Sequence, residues 1–176
     1  IAWVTTVDPQ GRVNLAPFSF FNAFGANPPV VVFSPSLRRD GTKKDTLRNL
    51  EATGEFVVHA AVSSLIEQVN LSAKELPYGD SEVSLAGLHT TPSERVKPPR
   101  LTEATACMEC RVMQILPIGS GAISANLVIG EVLLINVSDS VLDAGGKIDP
   151  HKLGNVGRLG GDWYARTTDL FELKRP

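Results

Sequence analysis

The sequence predicts a mainly β protein, an antiparallel barrel carrying two amphipathic helices. Three observations lead there. Six or seven short runs rich in Val, Ile, Thr and aromatic residues are separated by Gly, Pro, Asn and Asp turns. Only two stretches combine a helical period with start signals. Strands and helices do not alternate, which excludes a doubly wound parallel sheet and leaves a closed barrel as the way to remove sheet edges. At 176 residues the chain is long enough to bury a core within one domain, 1–176.

Ala2–Val7 (AWVTTV) and Arg12–Ala16 (RVNLA) read as a hairpin, joined by Asp8-Pro9-Gln10-Gly11 with Pro at the second turn position. Val30–Ser34 is a short apolar strand bounded by Pro28-Pro29 and Pro35. Thr42 with Asp45 three residues on resembles a capping box, and predicts a helix with Leu47 and Leu50 inward and Gly54 at its end. Glu55–His59 is the next strand, and Ser64 with Glu67 opens a second helix carrying Leu65, Ile66 and Val69. Residues 73–104 lack periodicity and read as a long surface excursion with a short strand near Leu88, a place for substrate contacts. Met108–Leu116 and Leu127–Ser138 are long strands around a Pro117–Gly121 loop, and Asp162–Leu173 is read as a closing strand.

Composition excludes several classes. A net charge of −2 argues against a nucleic-acid surface, and no run reaches the roughly 18 apolar residues of a membrane span. The chain opens on IAWVTT without Met or leader, so no signal peptide is expected, residues before Ile1 are expected to be missing, and the location is expected to be cytoplasmic. Cys107 and Cys110 form a C-x-x-C, but on a strand residues three apart face opposite sides, so two reduced structural cysteines are expected. A second ligand pair for zinc is missing, and three scattered His make a metal centre unexpected. GSGAIS at 119–124 lacks the third Gly of a dinucleotide fingerprint.

Three clusters carry candidate chemistry. Four of the 7 Phe fall in one stretch (Phe18, Phe20, Phe21, Phe24), interleaved with Ser19 and Asn22. Taken singly, each Phe is more readily explained as core; together with the hydroxyl and amide they read as a wall for a flat heteroaromatic ring. Lys43 and Lys44 stand in a first helical turn, where the macrodipole disfavours cations. With Thr46, Arg38, Arg39, Ser34 and Ser36 close by, this reads as an anion socket or else as a solvated basic loop. The Gly-rich run from His151 to Tyr164, with Arg158, reads either as a flap over a cofactor or as a turn into the last strand.

Together, WVTTVDPQGRVNLAPFSFFNAFGANPPVVVFSPS, GTKKDTLRN, EFVVH, GEVLLINV and HKLGNVGRLGGDWYA resemble the flavin reductase-like domain family, FMN-binding split barrels that include flavoredoxin. The resemblance implies a six-stranded antiparallel Greek-key split β-barrel with two or three peripheral helices, dimeric, holding FMN rather than FAD. It implies that Pro17, Phe18, Ser19, Phe20, Phe21 and Asn22 line the ring, with Ser19 near its N5 edge. Ser34, Pro35, Ser36, Arg39, Lys44, Asp45 and Thr46 would surround the phosphate, and Arg158 and Tyr164 would contact flavin or nicotinamide. His151 is a looser match to a residue beside the nicotinamide. The implied activity is NAD(P)H:flavin oxidoreduction, hydride passing from nicotinamide to flavin N5 without a protein acid or base. Reduced flavin or electrons would then go to a partner protein. An FMN electron carrier that never meets NAD(P)H is the alternative, and a sensor or storage barrel a third.

Overall fold

A computed structural model describes residues 1–175. Its main sheet has seven antiparallel strands, in the order Val13–Phe18, Ala2–Val7, Glu55–Ala60, Ala106–Ile118, Ala125–Val137, Pro29–Phe33, Phe21–Ala26. Strands β1 (Ala2–Val7) and β2 (Val13–Phe18) form the expected hairpin. Its turn is fixed by Asp8, whose Oδ1 accepts the N–H groups of Gln10 and Arg12, both at 2.9 Å. Strands β3 (Phe21–Ala26) and β4 (Pro29–Phe33) form the second hairpin. Helix α1 (Asp45–Thr53) leads into β5 (Glu55–Ala60), and a 3-10 turn runs into α2 (Ile66–Leu71). Next come α3 (Glu82–Leu85) and two-residue strands β6 (Thr90–Thr91) and β7 (Arg100–Leu101). The long pair β8 (Ala106–Ile118) and β9 (Ala125–Val137) is followed by α4 (Pro150–Leu153), β10 (Val156–Gly160) and β11 (Trp163–Arg166).

The sheet curls round one core. Ala2, Val4, Phe18, Phe33, Phe56 and Val128 meet there from five strands, with Leu50 of α1 inserted. Phe18–Phe33 and Phe33–Phe56 pack with ring centroids 5.3 Å apart, within the favoured aromatic range. The strand order ends at β2 and β3, which do not pair, so the barrel is split rather than closed by hydrogen bonds.

Four expectations need correction. Strand β3 went unread because its side chains are mostly exposed, with Phe20 just before it 80% and Phe24 75% exposed, so the alternation that marks a half-buried strand is missing. Thr42 does not cap α1: its hydroxyl donates to Asp40 Oδ1 at 2.7 Å, the N-cap is Lys44, and Asp45 is the first helical residue. The closing strand is β11 alone, paired with β10 as a separate hairpin, rather than Asp162–Leu173.

Residues 73–104 are not a surface excursion either. Val83, Leu88 and Leu101 join Trp3, Leu15 and Val69 in a second core. Fully buried Glu109 of β8 accepts the N–H groups of Glu94 (3.0 Å) and Arg95 (2.6 Å) and the side-chain amide of Asn136 (3.0 Å). The segment is held by remote polar anchors rather than by its own periodicity. Cys107 and Cys110 are free, buried, and in separate core clusters; burial pushes the Cys107 thiol up to about 11 and raises Cys110 as well. Among the described residues no helix is long and apolar enough to cross a membrane.

Candidate functional site

The start of α1 is where local rules are broken. No side chain caps it, and its first internal bond is Arg48 N–H to Lys44 C=O at 3.1 Å. The amides of Asp45, Thr46 and Leu47 therefore have no partner within the helix. Arg38 reaches across, donating from Nη2 to Asp45 Oδ1 at 3.0 Å and from Nη1 to the Lys43 carbonyl at 2.5 Å. The Arg38 loop is pinned from behind by the β8–β9 connection. Leu37 N–H donates to Ser124 C=O at 2.9 Å, and Asn126 Nδ2 to Pro35 C=O at 3.0 Å. Ile123 takes a positive φ of 54° at this tip, a costly conformation for a β-branched residue.

These groups face the end of β2 across a cavity of about 100 Å3 lined by Ala16, Pro17, Phe18, Arg38, Lys44, Asp45 and Thr46. Asn14 lies deeper and donates from Nδ2 to Thr46 Oγ1 at 2.9 Å, which leaves the Thr46 hydroxyl proton free to be donated. Ser72–Leu76 and Glu82 complete the lining. Glu82 is buried, its Oε2 accepting Leu15 N–H at 2.9 Å; burial, reinforced by the charge of Asp45, raises its carboxyl above the ordinary range.

The structure thus brings Pro17, Phe18, Lys44, Asp45 and Thr46 to one cavity. Phe18 itself is a core residue, so its side chain serves the barrel. Ser19, Phe20 and Asn22 are exposed and Phe21 half-buried, leading away from the cavity along β3. Ser34 N–H donates to Phe20 C=O at 3.0 Å, joining that segment to the Ser34-Pro35-Ser36 turn. Arg39 is exposed and does not line the cavity, whereas Arg38 does. Arg158 and Tyr164 form a second cluster, directly opposed in the β10–β11 hairpin, with Arg158 Nη1 donating to Tyr164 Oη at 3.0 Å and its guanidinium 4.9 Å from the ring centroid. His151 is exposed on α4, whose first turn is capped by Asp149. Neither Arg158, Tyr164 nor His151 lines the α1 cavity. Neither Asn14 nor Glu82 was anticipated from the sequence; the signal that could have found Asn14 is that it is the one amide in an otherwise apolar strand, whereas Glu82 gave none.

Donors suited to a phosphate monoester gather here: free first-turn amides, one hydroxyl and the cations of Lys44 and Arg38. These residues fit a flavin mononucleotide at its phosphate end. Fold and site together define a split β-barrel with a helix-start anion pocket. Residues 1–151 match the flavin reductase like domain. An uncharacterized protein of Halalkalibacterium halodurans is 44% identical over 178 residues, covering 100% of this chain and 85% of that one. Nitrilotriacetate monooxygenase component B from Bacillus cereus is 37% identical with a TM-score of 0.90, covering 98% and 85% of the two chains. Pseudomonas fluorescens 2-nitrobenzoate 2-nitroreductase NbaA is 30% identical with a TM-score of 0.85, covering 99% and 83%. The chain belongs to the flavin reductase-like domain family of FMN-binding split barrels.

Proposed function

We propose that the protein is an NAD(P)H:flavin oxidoreductase that holds FMN with its phosphate at the start of α1. The observation carrying this is the convergence of uncapped first-turn amides, Thr46, Lys44 and Arg38 on one cavity at the end of β2. Relatives at 30–37% identity whose names are those of a monooxygenase component and a nitroreductase support a redox role. Bound FMN supplies a hydride acceptor, so the chain needs no acid–base pair of its own.

The residues bind and orient. Lys44 and the amides of Asp45, Thr46 and Leu47 neutralise and hold the phosphate, Asn14 fixes the Thr46 hydroxyl toward it, and Asp45, held by Arg38, offers an acceptor to ribityl hydroxyls. The exposed backbone and polar groups of Ser19–Asn22 would hold the ring end of the flavin. The exposed apolar side chains of Phe20, Phe24, Ile118, Ile123 and Trp163 are covered by a second copy in a homodimer, which sedimentation velocity tests directly.

The deciding experiment mixes FMN-loaded protein anaerobically with NADH, then NADPH, and follows the oxidised flavin band. Rapid bleaching is expected. A band that withstands both nucleotides but bleaches with dithionite overturns the reductase in favour of an electron carrier delivering to a partner protein. Protein that retains no flavin overturns both.

A further inference from the structure

Away from the α1 cavity, one guanidinium is largely buried without the partners it calls for. Arg100 opens β7, and the backbone on either side of it is fastened. Pro99 C=O accepts the Thr5 hydroxyl at 2.7 Å, and Leu101 N–H donates to His59 Nε2 at 3.0 Å. The Arg100 side chain is 23% exposed. A guanidinium has five N–H donors. Among the described residues the hydrogen bond it makes runs from Nη2 to Pro92 C=O, at 3.3 Å. Nε–H has no hydrogen-bond partner. Its carboxylate neighbour, Glu109 Oε1, lies 3.8 Å away, beyond hydrogen-bond reach, and the Glu109 oxygens already accept the Glu94 and Arg95 amides and Asn136 Nδ2. The Thr105 hydroxyl is likewise buried and unpartnered.

Arg100 and Thr105 line one cavity of about 300 Å3, the size at which small-molecule pockets begin. Cys107 and Asn136, cross-strand partners on β8 and β9, line it too. They face away from Met108, which packs against the barrel core, so the cavity lies on the outer side of the sheet. Thr91 and Thr102 also line it; their hydroxyls share one hydrogen bond at 2.8 Å, which leaves one of the two protons to donate. Leu101, Ala104 and Val137 supply apolar surface. No residue of this lining belongs to the α1 cavity.

We infer that this cavity is a second ligand site, for a small monocarboxylate with an apolar body, whose carboxylate group seats on the Arg100 guanidinium among the threonine hydroxyls. Arg100 carries the only charge in the lining among the described residues. One guanidinium matches one carboxylate in the two-pronged geometry that makes such pairs strong. A dianion such as sulfate meets the negative charge of Glu109 behind the same guanidinium, and gains nothing from the apolar surface. A neutral polar ligand leaves the buried cation without a counter-charge in contact. Unsatisfied buried donors are rare enough in a folded chain that a missing bound group is among their standard causes. The site is independent of the flavin reading, since its lining and its charge are its own.

Calorimetric titration of the full chain with sodium benzoate tests this, with and without saturating FMN so that entry into the α1 cavity is told apart. Benzoate is expected to bind one to one with a Kd of about 1 mM or tighter, unchanged by FMN. Benzyl alcohol has the ring without the charge, and sulfate the charge without the ring; each is expected to bind at least tenfold more weakly. Arg100→Met is expected to weaken benzoate at least tenfold, and Thr105→Val about threefold. Where Arg100→Met is unfolded by circular dichroism, Arg100→Lys takes its place; it keeps the charge but not the fork, and a loss of about fivefold is expected. Four results overturn the site: no benzoate binding up to about 20 mM, displacement of benzoate by FMN, benzyl alcohol or sulfate binding within threefold of benzoate, or native benzoate affinity in the folded Arg100 variant.

Discussion

Acidification is expected to weaken this fold through one residue, His59, well before most carboxylates titrate. Its ring is wholly buried on β5. Leu101 N–H donates to Nε2 at 3.0 Å, so Nε2 carries the lone pair and the proton resides on Nδ1, 2.9 Å from the Trp3 carbonyl. A second proton would meet the Leu101 amide head-on, in an apolar site, with the Arg100 cation nearby. Burial therefore lowers the pKa from 6.5 to about 4. The folded-state value lies below the unfolded one, so the unfolded chain binds the extra proton. The stabilisation is complete above pH 6.5 and is lost as the pH falls toward 4. At about 1.36 kcal/mol per unit over this window the loss approaches about 3 kcal/mol. Stability near pH 4.5 is thus expected to fall by a large part of an ordinary domain's margin of about 5–15 kcal/mol.

Urea unfolding at several pH values measures this, with Trp3 as reporter; its indole sits edge-on to His59 at 6.4 Å and is fully buried. His59→Gln keeps a donor and an acceptor but does not titrate, so its midpoint is expected to stay nearly level between pH 6.5 and 4.5 while the native midpoint drops. Equal pH slopes in the two proteins would refute the assignment.

Other perturbations follow from the same contacts. Gly130→Ala drives a Cβ into the Cζ edge of the fully buried Phe56 ring, and is expected to cost about 1–3 kcal/mol in chemical denaturation. Glu109→Ala strips the partner from two loop amides, Asn136 and the Arg100 cation 3.8 Å away; a loss of about 3 kcal/mol and early proteolysis within 89–103 are expected. Lys44→Ala and Thr46→Val are each expected to weaken FMN binding about tenfold while leaving riboflavin affinity unchanged, by fluorescence titration.

What the sequence disclosed and what it hid divide along a physical line. Strands β1, β2, β4, β5, β8 and β9 and helices α1 and α2 bury stripes of their own, and each was legible from its period and its punctuation. Strand β3 buries almost nothing and was missed. Residues 73–104 lie beyond any periodic reading because single buried groups on other elements order them: Glu109 grips Glu94 and Arg95, His59 grips Leu101, and Glu82 grips Leu15. A pattern confined to one segment carries no record of a partner on a strand many residues away.

The candidate site, by contrast, leaves a signal in the sequence because it contradicts its surroundings. Of the two lysines at this uncapped helix start, Lys43 is paired with Glu51 at 2.7 Å, whereas Lys44 has no such partner among the described residues and lines the cavity beside the Thr46 hydroxyl and the first-turn amides. Local inconsistency marks function when it is compensated by a ligand rather than by the fold. Arg38 completes the logic. Its guanidinium neutralises Asp45 and braces the Lys43 carbonyl, so the α1 start keeps its positive character although a carboxylate opens the helix. Arg39, one residue on, looks the same in the sequence and lies in solvent. Only the loop pinned by Ser124 and Asn126 distinguishes the two, and that pinning depends on the strained tip between β8 and β9.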